Sequence, residues 1–329
     1  MKVPFTWRPV GWFMVGWSAE IPPGTVKPLH YFGQHLVAYR TEEGELHVLD
    51  GHCLHLGAHL GHHGTVNGDC VECPYHGWGW GPDGENKYIP YEDRPNVSKR
   101  LKSWPVLEQH ECIFVWHDPH GGLPTWELPS VFDVPTELAS TPDRYYRAYP
   151  ELSTKFEGEP VHPQITLENA PDTCHFRYVH KATVHPRLLE WEVDGPFYRS
   201  VGGFPIPQPD GSERIALENH SLACGVGGSM TAFAGSYHYK LVFFTTPVDD
   251  ERSDLFYSIW WPREAGDTAD APPLETQERA RKEFLTTLED DLEIWRYQVY
   301  VQEPVLAQQD ARPYGALRKW ARQFYTVDA

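Results

Sequence analysis

Two short segments constrain this 329-residue chain more than any other: Cys53-Leu54-His55 and Cys73-Pro74-Tyr75-His76, separated by 17 residues. Each offers a thiol and an imidazole a few ångströms apart, so two such loops facing each other make a four-ligand pocket. Two thiolates and two imidazoles can hold tetrahedral zinc. They can equally hold a [2Fe–2S] cluster in which two histidines replace two cysteines on one iron. Zinc fingers typically place a cysteine pair before a histidine pair, whereas here each half supplies one of each. That interleaving lets both sulfurs take one iron and both nitrogens the other. The competing explanation is a histidine-rich loop with buried thiols, because His52, His59, His62 and His63 are close by.

A second constellation is Asp172-x2-His175-x4-His180. Two histidines and one carboxylate make the facial triad of non-haem Fe(II) oxygenases, which leaves positions open for O2 and substrate. On a regular helix, residues five apart lie about 140° apart, so these rings meet only where the helix ends, bends or widens into a π-type turn. The alternative is a polar helix face with solvated histidines. The third ligand is expected on a helix from about Gln277 to Tyr300, whose apolar stripe is Phe284, Leu288, Leu292, Trp295 and Val299. Asp291 falls in that stripe and Glu289, Asp290 and Glu293 rotate away. An acid facing the core is costly unless it is paired or bound to metal. Asp291 is therefore the preferred ligand and Asp290 the second choice, the competing role being an ion pair with a buried arginine.

The composition narrows the setting. Lys plus Arg number 28 against 46 for Asp plus Glu, a net charge of −18 that disfavours nucleic acid and anionic membranes and suits a basic partner protein. No stretch approaches the ~18 apolar residues of a membrane span, and the short apolar run after Arg8 is not read as a signal peptide. Six cysteines are too sparse for a disulfide scaffold, so reduced thiols and a cytoplasmic location are expected. Short alternating runs (Leu36–Arg40, Glu45–Leu49, Asp69–Glu72, Cys112–Trp116) and turn signals at Asn67-Gly68 and Asp83-Gly84 read residues 1–118 as β. Prolines thicken over 119–150, a connector. Beyond it, strands at Tyr237–Thr245 and Leu255–Trp261 mix with helical stretches near 165–180 and 275–300, an α+β pattern. The segment Leu222–Gly235 reads as strand and loop, or as the lining of an apolar pocket.

Cys53-x-His55-x17-Cys73-x2-His76 with Gly77-Trp78 following, together with the Asp172–His180 motif and Asp291-Leu292-Glu293-Ile294-Trp295, resembles the Rieske non-haem iron oxygenases over nearly the whole chain. Within that family the subgroup resemblance is to 3-ketosteroid 9α-hydroxylase oxygenase components and cholesterol-desaturase-like members, carried by His47-Val48-Leu49-Asp50, Tyr314 to Trp320 and Phe324-Tyr325. The resemblance implies an all-β Rieske domain (1–118), the connector (119–150) and a helix-grip-like catalytic domain (151–329). Cys53 and Cys73 would ligate one cluster iron and His55 and His76 the other, while His175, His180 and Asp291 would bind Fe(II). Asp172 resembles the aspartate that links a neighbouring subunit's cluster histidine, here His76, to His175, which implies a head-to-tail homotrimer. Asn169 resembles an asparagine that tunes access to the iron. Leu54 and Leu56 depart from the more polar residues usual beside the first histidine. The implied activity is O2-dependent mono- or dioxygenation of an apolar polycyclic, steroid-like or aromatic substrate. Its electrons come from NAD(P)H through a separate ferredoxin or flavin reductase, in keeping with the lack of a GxGxxG motif. The rival readings are an oxidative demethylase or desaturase of the same family, a Rieske electron carrier without catalytic iron, and a zinc-stabilised binding module.

Overall fold

The computed structural model describes residues 2–235 and 238–325. The first third is all β: β1 (Gly11–Trp17), β2 (Val26–Tyr31), β3 (Gln34–Arg40), β4 (Leu46–Asp50), β5 (Thr65–Asn67), β6 (Cys70–Glu72), β7 (Gly79–Trp80), β8 (Asn86–Tyr88), β9 (Ser103–Trp104), β10 (Val106–Gln109) and β11 (Cys112–His117). They form antiparallel sheets in the orders β1-β11-β10, β2-β3-β4-β9 and β5-β6-β7-β8. The Asn67-Gly68 signal is a two-residue hairpin: Asn67 pairs with Cys70, and Gly68 takes φ +60°. Gly84 also needs glycine, since at φ +75° a Cβ would sit 2.0 Å from the Leu101 carbonyl oxygen.

The rest is built on one seven-stranded antiparallel sheet: β12 (Ser153–Glu159), β13 (Arg187–Asp194), β14 (Phe197–Pro207), β15 (Glu213–Cys224), β16 (Gly228–Gly235), β17 (Lys240–Pro247) and β18 (Ser253–Trp260), in the order β12-β18-β17-β16-β15-β14-β13. Successive side chains point to opposite faces, and here both faces are covered. Met230, Val242, Phe244, Phe256 and Trp260 join one core with Trp12, Phe13, Met14 and Trp17 of β1. Leu241, Leu255, Tyr257 and Ile259 form another with the helical side. Buried hydrogen bonds join the halves: Trp17 Nε1 donates to Ser258 Oγ (2.8 Å) and Thr246 Oγ1 donates to the Met14 carbonyl (2.5 Å). The 119–150 segment packs into the first core through Leu128, Val131, Phe132, Tyr145 and Ala148. Lys240 Nζ pins it by donating to the Val134 and Leu138 carbonyls.

The helices are shorter than the sequence suggests. The stretch near 165–180 splits into α1 (Pro163–Leu167) and α2 (His175–Tyr178). The late helix comprises α3 (Leu274–Ala280), a π-type turn (Arg281–Leu285) and α4 (Thr286–Trp295). Phe284, Leu288, Leu292 and Trp295 are buried as the stripe requires. The expected helix to Tyr300 stops at Trp295 and Val299 is exposed; Arg296, at the helix end, makes a two-pronged ion pair with Glu159. The expected strand from Tyr237 begins at Lys240, and Tyr237 lies outside the described residues. Helix α5 (Ala311–Ala321) closes the fold.

One buried pair fastens the segment after α1 to α5. Glu168 accepts from Arg318 Nε (3.0 Å) and Nη2 (2.8 Å), with side chains only 8% and 16% exposed, and Arg318 Nη1 donates to the Val301 carbonyl. Removing one member of such a pair strands the other charge. Arg318→Met is therefore expected to cost about 3–5 kcal/mol in denaturant unfolding and to reduce retention of the second metal, read as metal content after gel filtration.

Candidate functional site

The two cysteine–histidine loops share one hydrogen-bond pattern. Cys53 N–H donates to the Ala58 carbonyl and Gly57 N–H back to the Cys53 carbonyl; Cys73 N–H donates to Trp78 and Gly77 N–H back to Cys73. Gly57 and Gly77, each four residues after its cysteine, take φ +80° and +71°. The sequence reading did not use this repeated Cys-x3-Gly, although it was there to find.

Cys53 and Cys73 are 2% and 3% exposed, and the His55 and His76 rings lie nearer the surface with centroids 4.8 Å apart. Burial pushes the Cys53 thiol up to about 11, while the His55 backbone N–H and the Trp80 indole, 3.3 Å from Sγ, favour the thiolate. His55 Nδ1 and His76 Nδ1 are buried without hydrogen-bond partners. Two buried sulfurs and two orphaned ring nitrogens facing one another fit a metal–sulfur centre and leave a metal-free pocket poorly satisfied. Around the histidines, Leu54, Leu56 and Tyr75 are exposed at 43%, 65% and 63%.

The second cluster forms where α2 begins and ends. Asp172 Oδ1 accepts from the N–H groups of Cys174 (3.1 Å) and His175 (3.2 Å), satisfying otherwise orphaned helix donors. The His175 Nδ1–H goes to the Asp172 backbone carbonyl, and the carboxylate oxygen stays 3.9 Å from that nitrogen. Nε2 of His175 is thereby left as the ligating atom. The helix ends at Tyr178, with no π-type turn there; Lys181 takes φ +56° and Ala182 N–H returns to the Phe176 carbonyl. Ending the helix brings the His175 and His180 rings to 5.1 Å.

From α4, Asp291 Oδ1 approaches His180 Nε2 at 3.4 Å, and Asp290 Oδ2 lies 3.9 Å from His180 Nδ1. Asp291 is 14% exposed and Asp290 47%, as their phases on the helix dictate. Ligand atoms of His175, His180 and Asp291 all lie within 4.8 Å of one another. Both nitrogens of His180 are buried without a hydrogen bond. Burial pushes the His175 imidazole below its ordinary value, although Asp291 and Asp172 pull the other way. Two imidazoles beside a partly buried carboxylate are a donor set for a divalent transition metal.

Asp291 and Asn169 also line a cleft between the sheet and α4. Its walls are Phe176, Phe204, Phe233, Leu241, Phe243, Phe284, Leu288 and Trp295. Of the Leu222–Gly235 segment, Ser229, Thr231 and Phe233 face this cleft, whereas Cys224 and Met230 point into the core behind it. Asn219 lines it too, with its amide oxygen buried and unpartnered. The sequence reading offered Phe233 as a pocket lining but missed Asn219, Phe176, Phe204 and Phe243, which come from elements far apart in the chain.

Two family models match. The Rieske [2Fe-2S] domain covers residues 11–105, and the 3-ketosteroid 9alpha-hydroxylase C-terminal domain covers 115–325. The chain is 28% identical over 325 residues to a 3-ketosteroid-9-alpha-monooxygenase oxygenase component of Rhodococcus rhodochrous, covering 96% of this chain and 79% of that protein. It is 30% identical over 329 residues to the Mycobacterium tuberculosis oxygenase component of the same name (96% and 81%). It is 28% identical over 349 residues to cholesterol 7-desaturase nvd of Xenopus laevis (97% and 72%). Among solved structures, dicamba monooxygenase superposes with a TM-score of 0.65 at 18% identity (95% of this chain, 97% of that one). Pseudomonas putida NdmA with caffeine reaches 0.69 at 18% (94% and 89%). These likenesses to solved structures carry the fold.

The cofactors are accordingly a Rieske [2Fe–2S] cluster and a mononuclear non-haem iron, and the electron-carrier and zinc-module readings give way. The chain belongs to the Rieske non-haem iron oxygenases, as an oxygenase component with a catalytic half of the 3-ketosteroid 9α-hydroxylase family.

Proposed function

We propose that this oxygenase component hydroxylates an apolar, polycyclic, steroid-like substrate held in the cleft beside Asp291. The observation that carries this reading is the juxtaposition of the His175–His180–Asp291 cluster with an aromatic-walled cleft. Such clefts bury most of a ligand's surface and orient it through a few polar groups. The names of the steroid and sterol relatives support the same substrate class.

Cys53 and Cys73 hold one cluster iron and His55 and His76 the other; His175, His180 and Asp291 hold the mononuclear iron. When bound, these centres supply reducing electrons and O2 activation. The chain's own residues do the rest. The His175 Nδ1–H bond to the Asp172 carbonyl fixes the ring and its tautomer. The phenylalanines and Trp295 exclude water from the reacting carbon. Asn169, at the cleft edge, controls access. Asn219, with a buried oxygen lacking a donor, takes a substrate hydroxyl and sets which carbon faces the iron.

The electrons come from a separate ferredoxin or flavin reductase, for which a net charge of −18 favours a basic docking face. A head-to-tail homotrimer is supported by the exposed Leu54, Leu56 and Tyr75 around His76 and by the partly exposed Asp172 carboxylate, which would join the partner's cluster to His175. Residues 1–118, 119–150 and 151–329 are taken as Rieske domain, connector and catalytic domain. A cytoplasmic location suits six unpaired cysteines; no helix among the described residues is long and apolar enough to cross a membrane.

Three measurements test this reading. The iron-loaded protein, supplied with a generic reductase and 18O2, is expected to place label in hydroxylated steroids or sterols. Label only in simple aromatic acids would sink the substrate class, and unlabelled olefin would move the reaction to desaturation. Asp172→Asn is expected to keep both types of iron and lower coupled turnover about 10–100-fold, and unchanged turnover would remove the bridge. Asn219→Leu is expected to raise KM about tenfold for a hydroxylated substrate, the worth of one hydrogen bond, and to leave its dehydroxy analogue little changed.

A further inference from the structure

The largest gathering of metal-binding side chains away from the two iron centres lies on the N-terminal domain. Five imidazoles touch in a chain: His30 to His35 at 4.8 Å between centroids, His35 to His52 at 5.0 Å, His52 to His59 at 4.9 Å and His59 to His62 at 4.6 Å, with His35 and His59 at 5.4 Å. Ring nitrogens of His35, His52 and His59 all lie within 4.8 Å of one another. Neither iron centre uses these residues. Packing does not account for them, since His35 and His52 are exposed.

The rings are prepared as ligands. His52 Nδ1 lies 3.1 Å from the Gly57 carbonyl, which places the ring proton there and leaves Nε2 with its lone pair free. His59 Nδ1 accepts from the Gly61 N–H at 3.0 Å, and its Nε2 is buried without a partner against Gly51. An ion captured at Nδ1 replaces the Gly61 N–H. An ion captured at Nε2 requires the ring proton to move to Nδ1 and the Gly61 N–H to turn away from it. His59 is held below the ordinary imidazole value, at about 4, by burial and by its neighbours His52, His62 and His35, so it is a neutral ligand near pH 7.

We infer that His35, His52 and His59 form a third metal site, for a late first-row divalent cation of the zinc type, with water completing the coordination. Three imidazoles and no carboxylate select such an ion over magnesium or calcium. Its position gives it a structural role. His52 and His59 pair as an isolated antiparallel bridge closing the loop that carries Cys53 and His55, and His35 belongs to β3 beneath. The ion would clamp the base of the cluster loop to the sheet.

The test uses the fully iron-loaded protein, stripped of loosely bound metal with a weak chelator and titrated with Zn2+. Expected are one zinc per chain surviving gel filtration, an unchanged iron count, and a higher temperature for thermal loss of the cluster's visible absorbance. His35→Gln, at an exposed position, and His59→Gln are each expected to abolish zinc retention and the thermal shift while keeping the cluster spectrum. Zinc lost on gel filtration, zinc gained only as iron leaves, or equal retention in His35→Gln would overturn the site. Either variant alone suffices if the other does not fold.

Discussion

The relative position of the two iron centres within one chain depends on the contact between β1 and the large sheet. That sheet is apolar on both faces, and each face has its own tenant. The N-terminal domain occupies one through Trp12, Phe13, Met14 and Trp17, and the π turn and α4 occupy the other through Phe284, Leu288 and Leu292. Hydrogen bonds from Trp17 to Ser258 and from Thr246 to the Met14 carbonyl are buried within the first contact, where an unmade bond is expensive. The Phe32–Gly33 turn adds backbone bonds to Pro247 and Val248 at 2.8 Å. Even the proline-rich 119–150 segment, which by composition reads as a loose tether, is drawn into the shared core. The chain therefore behaves as one body on which two metal sites are mounted.

Both sites are built on the same economy of polar groups. Cys53 has a single side-chain donor, the Trp80 indole, and His55, His76 and His180 keep buried nitrogens free of hydrogen bonds. Unsatisfied polar atoms destabilise a folded chain unless something else satisfies them, and those of His55, His76 and His180 lie where a bound metal would do so. Elsewhere ion pairs fasten distant segments, Glu168 with Arg318 and Glu159 with Arg296.

The sequence made the ligands legible because each motif is local. Two cysteine–histidine loops and a histidine pair five apart carry their chemistry in a few adjacent letters, and the phase of Asp291 follows from the buried stripe around it. What joins them was not legible. Glu168 and Arg318 are 150 positions apart, and Glu159 and Arg296 are 137 apart. The way His175 and His180 meet depends on a lysine at positive φ, a conformation no composition rule assigns to lysine. Asn219 and the aromatic cleft wall arise only when strands from distant parts of the chain lie side by side.

The π-type turn at Arg281–Leu285 has a consequence for how such a chain can change in length. Each helical residue turns the following ones by about 100°. A deletion that regularised the turn would leave α3 and α4 in conflicting phase. Either Ala280 would leave the core, or Asp291 would swing away from His180. Surface loops elsewhere tolerate gain or loss of a residue, but the length of this stretch sets whether Asp291 reaches His180.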